Sequence, residues 1–186
     1  MWYVIQVKTG EENGIARKLK NQVIRAEVPI ENRPIRSGGA WTKKEYILFP
    51  GYVFLDMDFT ARNYYRVKEV PGVIRFLGDS KAPSTLSYLE AEWIRILSGN
   101  GEPLEPTMVR EDGSGGITVI SGVLKQLENR VLKWDKRSRK ATFEITICGE
   151  ARQVQLGIEV ESGGELQEAG SDASQNAAQP LLQDAT

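Results

Sequence analysis

The sequence predicts an α+β protein in which an N-terminal sandwich of helices on an antiparallel sheet is followed by a small β-barrel. Three observations support this. Residues 1–98 mix strand-like and helix-like patterns and include a hairpin. Residues 116–160 contain only short strand-like runs, which is typical of a small, partly open barrel. Residues 99–115 are rich in Gly, Pro and acidic residues, so we expect a flexible linker there.

Charge divides the chain in the same way. The net charge of −1 hides a surplus of +4 in residues 1–100 and +3 in residues 116–160. Residues 101–115 carry −3, and residues 161–186 carry −5. Two mildly basic blocks suit binding to a polyanion. The tail, 161–186, is acidic and almost free of aromatic residues, so it is predicted to be disordered.

The composition argues against an enzyme and indicates no metal and no cofactor. There is one cysteine, Cys148, and no histidine. A structural zinc site needs about four ligands, and histidine is the usual general base near neutral pH. The sequence has no run of about 18 apolar residues, and its start lacks the pattern of a signal peptide. We therefore expect a cytoplasmic monomer without a membrane segment.

Local patterns predict the elements of the first domain. Residues 2–8 alternate like a strand, and Thr9 with Glu12 fits a capping box before a helix. Residues 31–45 fit an exposed loop or hairpin tip. The remaining predicted elements are strands over 46–49, 52–57 and 73–77, a helix over 60–68, and a last helix capped by Ser87 with Leu89, Trp93 and Ile96 facing inward. In the second block the predicted strands are 117–120, 129–134, 141–147 and 151–156.

The segment 49–57 carries the main candidate binding site. Strand side chains alternate between faces, so Val53, Leu55 and Met57 form one apolar face. Tyr52 and Phe54 then point the other way, and we expect Phe49 and Tyr3 to join them in an exposed aromatic patch. Such a patch usually marks a partner site. The alternative is that a second helix covers this face too.

Two basic clusters are candidate nucleic-acid sites. The second block has Trp134 among five cations, and cations with an aromatic ring in a barrel loop suit RNA. The alternative is a solvated hairpin tip. The cations of this cluster are Lys133, Lys136, Arg137, Arg139 and Lys140, and those of a basic loop in the first block are Arg33, Arg36, Lys43 and Lys44.

Several motifs resemble the NusG family of transcription elongation factors. The segments 2–7, 49–53, 70–73 and 76–78 occur in the order and spacing of its N-terminal (NGN) domain, and residues 116–160 resemble its KOW domain. The resemblance covers nearly all of positions 1–160. It implies a factor whose aromatic patch binds the clamp helices of the largest RNA polymerase subunit. By this resemblance, the residues that bind the clamp helices are Tyr3, Phe49, Tyr52 and Phe54.

The resemblance implies further contacts. It places Asn63, Tyr64 and Tyr65 near the polymerase gate loop. It places Lys8, Lys18 and Gln22 near the non-template DNA strand.

Departures from the family pattern point to a specialised member. The family often has Phe where Leu124 stands, and that ring helps to bind ribosomal protein and Rho, so the resemblance does not carry those two partners over. Together with the basic loop, this departure resembles the antiterminators RfaH and LoaP, and most closely the LoaP type, which recognises an RNA hairpin. The implied partners are RNA polymerase and either an RNA hairpin or non-template DNA.

Other functions fit the sequence less well. A housekeeping NusG factor would couple polymerase to Rho or the ribosome. A ribosomal-type RNA-binding KOW protein would have no use for the aromatic patch. A hydrolase or nuclease would need clustered acidic residues or a nucleophile with its base, whereas the acidic residues here are scattered.

Overall fold

The computed structural model describes residues 1–78, 82–127 and 130–161. The tail predicted to be disordered lies outside the described residues from 162 onward. Within the described part no helix is long and apolar enough to cross a membrane. In chain order the elements are β1 Trp2–Val7, α1 Glu12–Asn21, β2 Arg25–Glu27, β3 Ile30–Ser37, β4 Ala40–Ile47, β5 Tyr52–Asp56, α2 Ala61–Lys68, β6 Val73–Phe76, α3 Tyr88–Leu97, β7 Thr107–Glu111, β8 Ile117–Ser121, β9 Val131–Asp135, β10 Lys140–Ile147 and β11 Glu150–Val160.

The first domain is built on an antiparallel sheet with the strand order β2-β5-β1-β6. Its two faces are both buried. One face packs on α1 and α2 through residues such as Ile5, Val53 and Leu55, which confirms the predicted apolar side of β5. The other face carries Val4 and Phe54 and packs on α3. The alternative that a helix covers this second face is therefore correct in part.

The ends of the helices show where local sequence signals hold. Thr60 caps α2, and Ser87 with Glu90 forms the predicted capping box of α3. The capping box predicted at Thr9 is wrong. Glu12 is buried, and its carboxylate accepts hydrogen bonds from the N–H groups of Gly10 and Gly51, both at 2.7 Å. This residue therefore connects the start of α1 to the turn before β5.

The inward face of α3 agrees with the prediction only in part. Trp93 and Ile96 are partly buried against the core, whereas Leu89 is about half exposed. The fully buried residues of the helix are Ala91, Ile94 and Leu97, which the prediction did not include.

The second sheet has the strand order β8-β7-β11-β10-β9, with β7 and β11 parallel and the other neighbours antiparallel. Phe143, Ile145, Leu156 and Ile158 are buried in its core. Strand β7 lies inside the segment predicted to be a flexible linker, so that prediction is wrong for residues 107–111. The second domain begins there because Met108 and Val109 pair with the neighbouring strands β11 and β8 of the second sheet.

The two domains pack against each other. One cluster of buried side chains contains Phe54 and Ile94 of the first domain together with Phe143 and Ile147 of the second. The segment between them is held as well, since Leu104 exchanges backbone hydrogen bonds with Ile30 and Asn32 of β3. Independent movement of the domains, the expectation from the Gly- and Pro-rich linker, is not the arrangement that the structure has.

Candidate functional site

The aromatic face, which we define as Phe49, Tyr52 and Phe54, lies where the two domains meet. The rings of Phe49 and Phe54 make an edge contact with centroids 5.3 Å apart. Both side chains are buried, and Tyr52 is half-buried. The predicted orientation, away from Val53 and Leu55, is confirmed. The predicted exposure is wrong, because α3 and the second domain cover these rings.

Tyr3 does not belong to the aromatic face. It pairs with Leu55 across β1 and β5, and residues directly opposite each other in a sheet share a face. Its ring therefore lies on the α1 and α2 side, with centroids 5.3 Å from Phe59 and 6.5 Å from Phe76. Burial, with a smaller contribution from Asp58, raises the pKa of Tyr3. Membership of the patch is thus a wrong prediction for this residue.

The cover over the aromatic face is incomplete. A cavity of about 230 Å³ separates the domains, with Phe49, Tyr52 and Phe54 on one wall and Ile147 and Arg152 on the other. The guanidinium of Arg152 lies 5.8 Å from the centre of the Tyr52 ring. The cavity is partly open to solvent, so the domain contact is incomplete at this edge, where Tyr52 is half-buried.

Polar contacts join the domains on the α3 side. The Glu90 carboxylate accepts hydrogen bonds from Ser87 N–H at 2.7 Å and from Gly149 N–H, across the domain boundary, at 3.0 Å. Burial by itself would raise the pKa of Glu90, but these N–H donors outweigh it and leave the pKa below its ordinary value. On the same side the Arg130 guanidinium lies 4.5 Å from the centre of the Trp93 ring.

A second set of contacts joins the β3–β4 hairpin to β11. Glu31 is buried, and its carboxylate accepts from Gly157 N–H at 2.7 Å and pairs with Arg33. Burial dominates over these partners and raises the pKa of Glu31. Arg33 also donates to the backbone oxygen of Gln155 at 2.9 Å. The Arg33 guanidinium is therefore used in the domain contact, and its role in nucleic-acid binding stays a prediction.

The other predicted cations differ in availability. Lys43 pairs with Glu105 at 2.7 Å and lies 3.7 Å from Glu159, and Lys136 pairs with Glu111. These carboxylates compete with any phosphate. Lys133 is exposed, and the neighbouring Trp134 is half-buried against the core of the second domain.

Three predicted cations meet at one place. Arg36 of the hairpin, Arg137 of the β9–β10 turn and Lys140 at the start of β10 line a cavity of about 410 Å³. Trp41 lines it too, and the Arg139 guanidinium lies 4.0 Å from the centre of this ring. Sequence reasoning missed Trp41. Its position among the cations of the basic loop was the available signal. We call Arg36, Trp41, Arg137 and Lys140 the basic cleft.

The residues predicted to lie near the gate loop and the DNA strand are on α1 and α2, away from the domain contact. Tyr65 is exposed, Tyr64 stacks on Phe76 at 5.3 Å, and the Asn63 side chain donates to the Asp58 backbone oxygen at 2.9 Å. Near α1, Lys8 pairs with Glu11 at 2.9 Å and Lys18 is exposed.

Gln22, just after α1, is half-buried. Its side-chain oxygen is buried and has no hydrogen-bond partner among the described residues. The predicted contacts of α1, α2 and Gln22 stay predictions.

The fold and these features define a class: a two-domain protein with an aromatic cluster at the domain junction and cations on both domains. Comparison with known proteins identifies the family. The family described as "Transcription termination factor nusG" matches residues 1–95, about half of the chain. The chain therefore belongs to the NusG family of transcription termination and antitermination factors.

Individual relatives agree with this assignment. The chain is 26% identical over 165 residues to the transcription termination/antitermination protein NusG of Helicobacter pylori, which covers 83% of this chain and 93% of that protein. It is 29% identical over 166 residues to the NusG of Buchnera aphidicola, with 83% and 91% covered. A solved structure titled for the domain interaction in Thermotoga maritima NusG has a TM-score of 0.53 at 23% identity, covering 84% of this chain and 93% of that one. The last likeness concerns the fold.

Proposed function

We propose that this chain is a specialised antitermination factor that binds the clamp helices of RNA polymerase through its aromatic face and holds that face covered until the second domain leaves. The proposal needs two states. In one the second domain packs on Phe49 and Phe54. In the other it is released, and these rings contact polymerase.

The main support for this proposal is the way in which the aromatic face is covered. The aromatic side of the first sheet is closed partly by α3 and partly by a separate domain, with a cavity of about 230 Å³ left at the contact. Phe54 is completely buried. Aromatic residues dominate the energetics of protein interfaces, often at about 2 kcal/mol or more each. A surface of this kind that meets a removable domain is suited to an exchange of partners.

We further propose that the second domain is a KOW domain without the usual ribosome and Rho contact. The family often has Phe where Leu124 stands. Leu124 is completely buried here, and its backbone N–H donates to the Thr107 hydroxyl at 3.3 Å. A buried leucine presents no side chain to a partner. This favours a specialised factor of the RfaH and LoaP type over a housekeeping NusG.

Nucleic acid is the second proposed partner. The exposed cations of the first domain, such as Lys18, suit the non-template DNA strand, and those of the β9–β10 turn suit RNA. Cationic side chains contribute to such binding by replacing the counterions of phosphates. The Lys133–Lys140 segment supplies an exposed Arg137 and a half-exposed Lys140.

Tyr52→Ala tests the polymerase contact. Tyr52 is only half-buried and sits at the edge of the domain contact, so its removal should leave the fold intact. Binding of the full chain to core RNA polymerase, measured by pull-down and by read-through of a terminator during transcription in vitro, should fall by about tenfold or more. Tyr88→Ala, at the first residue of α3, removes a matched exposed tyrosine that lies outside the aromatic face and should leave polymerase binding unchanged. Unchanged polymerase binding by the Tyr52 variant would remove the proposed contact.

A further inference from the structure

The basic cleft brings together cations from two domains that are far apart in the sequence. Arg36 and Trp41 face each other across the β3–β4 ladder, so their side chains share one face of the hairpin. Arg137 comes from the β9–β10 turn of the second domain, and Lys140 is the first residue of β10. All four residues line the same cavity of about 410 Å³. The cavity is thus formed by the packing of one domain on the other.

The cations of this cleft are available to a ligand. Among the ion pairs of the described residues none involves Arg36, Arg137 or Lys140. The nearby acid of the turn, Asp135, accepts from Ser138 N–H at 2.8 Å, which lowers its pKa. This contrasts with Lys43 and Lys136, which are paired with carboxylates. A ligand with phosphates would therefore meet three cations that form no salt bridge, although Lys140 also interacts electrostatically with Asp135 and Glu31.

Trp41 adds an aromatic ring to the cations. It is 37% exposed, and Arg139 lies over it at 4.0 Å from the ring centre. Base stacking on an aromatic side chain requires a base that is outside a duplex stack, and it tolerates any sequence. The volume of the cleft falls within the range of about 300–1,000 Å³ that is usual for small-ligand pockets, so it fits a nucleotide or two of a strand.

We propose that the basic cleft binds single-stranded nucleic acid only while the two domains are packed together. This inference deepens the proposed nucleic-acid-binding function and rests on it. Phosphates contact Arg36, Arg137 and Lys140, and a base stacks on the face of Trp41 that Arg139 does not cover. Release of the second domain separates the two halves of the cleft and abolishes the site.

A consequence concerns regulation. A ligand that binds only the packed form stabilises that form. By linkage, anything that separates the domains lowers the affinity for this ligand. Nucleic acid in the basic cleft and polymerase on the aromatic face therefore oppose each other. A bound strand would stabilise the packed form, and polymerase binding to the aromatic face would release the strand.

The test measures binding of the full chain to a fluorescent single-stranded RNA of about 12 nucleotides, to the same sequence as single-stranded DNA, and to the duplex. We expect both single strands to bind more tightly than the duplex. Arg36→Gln and the double variant Arg137→Gln with Lys140→Gln should each weaken binding. Each should also reduce the slope of affinity against salt by up to about 0.7 per lost phosphate contact. Trp41→Ala should weaken binding about 5- to 150-fold.

The decisive variant is Gly157→Ala, which removes no charge. A Cβ at Gly157 would lie 2.6 Å from Cδ of Pro34 across the domain contact. The substitution should push the domains apart. It should therefore weaken the binding of both single strands, as Arg36→Gln does. Gly113→Ala, where a Cβ meets nothing within 4 Å, and Lys125→Gln, an exposed lysine outside the basic cleft, are the controls and should bind like the parent chain.

The outcomes separate the two proposals. If Gly157→Ala or Arg36→Gln binds like the parent while the Arg137 and Lys140 variant is weak, the site lies on the second domain alone. The two-domain cleft is then overturned and the nucleic-acid function stands. Equal binding of the duplex overturns the stacking on Trp41. If the parent chain binds no strand, the nucleic-acid function itself fails, whereas polymerase binding is judged by its own experiment.

Discussion

Phe54 and Tyr52 are neighbours on the same side of β5 with different roles. Phe54 is completely buried between α3 and the second domain, whereas Tyr52 lies at the edge beside the cavity. Burial of a large ring contributes to the free energy of unfolding whether or not it later contacts a partner. Only the edge residue can therefore report on binding without disturbing the fold.

Phe54→Ala should lower the free energy of unfolding by about 3–5 kcal/mol, because it leaves a cavity in a packed core. Tyr52→Ala should lower it by less than half as much, since its ring is only half-buried. Urea denaturation of the full chain measures both. Equal effects of the two substitutions would mean that Phe54 is not enclosed between the domains.

The sequence revealed the direction of side chains within one strand but not across strands. Alternation along β5 correctly separated Val53 from Phe54. It could not place Tyr3. The side of the sheet on which Tyr3 lies depends on its pairing with Leu55, which is 52 positions later in the sequence. The role of Glu12 was missed for the same reason, since its partner Gly51 lies in a distant turn.

At the scale of elements, α3 connects the two domains through its N-terminal turn. Ser87 caps the helix, and the Glu90 carboxylate reaches both Ser87 N–H and Gly149 N–H. The capping box was visible in the sequence because it is local. The contact with Gly149 was not, because nothing near Glu90 indicates a partner 59 residues away.

Glu90 should make stability depend on pH. Its pKa in the folded chain lies below the ordinary value, so its contribution is complete above about pH 4.3 and is lost as the pH falls through the lower folded value. Glu90→Gln keeps the acceptor but removes the charge. The difference in free energy of unfolding between the parent and this variant should shrink between about pH 6 and pH 3. A constant difference would show that the ionised carboxylate adds nothing.

The hairpin β3–β4 shows how an exposed element acquires a structural role. The sequence predicted an exposed loop or hairpin tip over residues 31–45, where the structure has two paired strands, and it could not separate their cations. Arg33 faces β11 and is consumed by Glu31 and Gln155, whereas Arg36 lies on the other face with Trp41. Arg33 and Arg36 are three positions apart in β3, and an odd separation sends side chains to opposite faces of a strand.

For the whole molecule, the packing of the domains was beyond sequence reasoning. Composition marked residues 99–115 as a linker, and the short turn at Gly99–Gly101 agrees with that. Whether a linked domain packs depends on complementary surfaces. Here these are Phe49 and Phe54 on one side and Ile147 on the other, and their burial is a property of both together.

The packed arrangement should be visible in solution. Backbone ¹⁵N relaxation should give the same rotational correlation time for residues 1–98 and 107–161. Gly157→Ala should separate the two values, because overpacking against Pro34 costs about 1–3 kcal/mol. Gly113→Ala should not. Two different correlation times in the parent chain would mean that the domains are already released.

The central claim is that the aromatic face is both the polymerase site and the surface covered by the second domain, and its most direct test is the affinity of Gly157→Ala for core RNA polymerase. Affinity follows the fraction of molecules in the binding-competent state, so weakening the domain contact should strengthen binding by up to about 5- to 150-fold. Tyr52→Ala added to Gly157→Ala should remove that gain. Polymerase binding that stays at the parent level in Gly157→Ala, once relaxation has shown its domains to be apart, would contradict the claim.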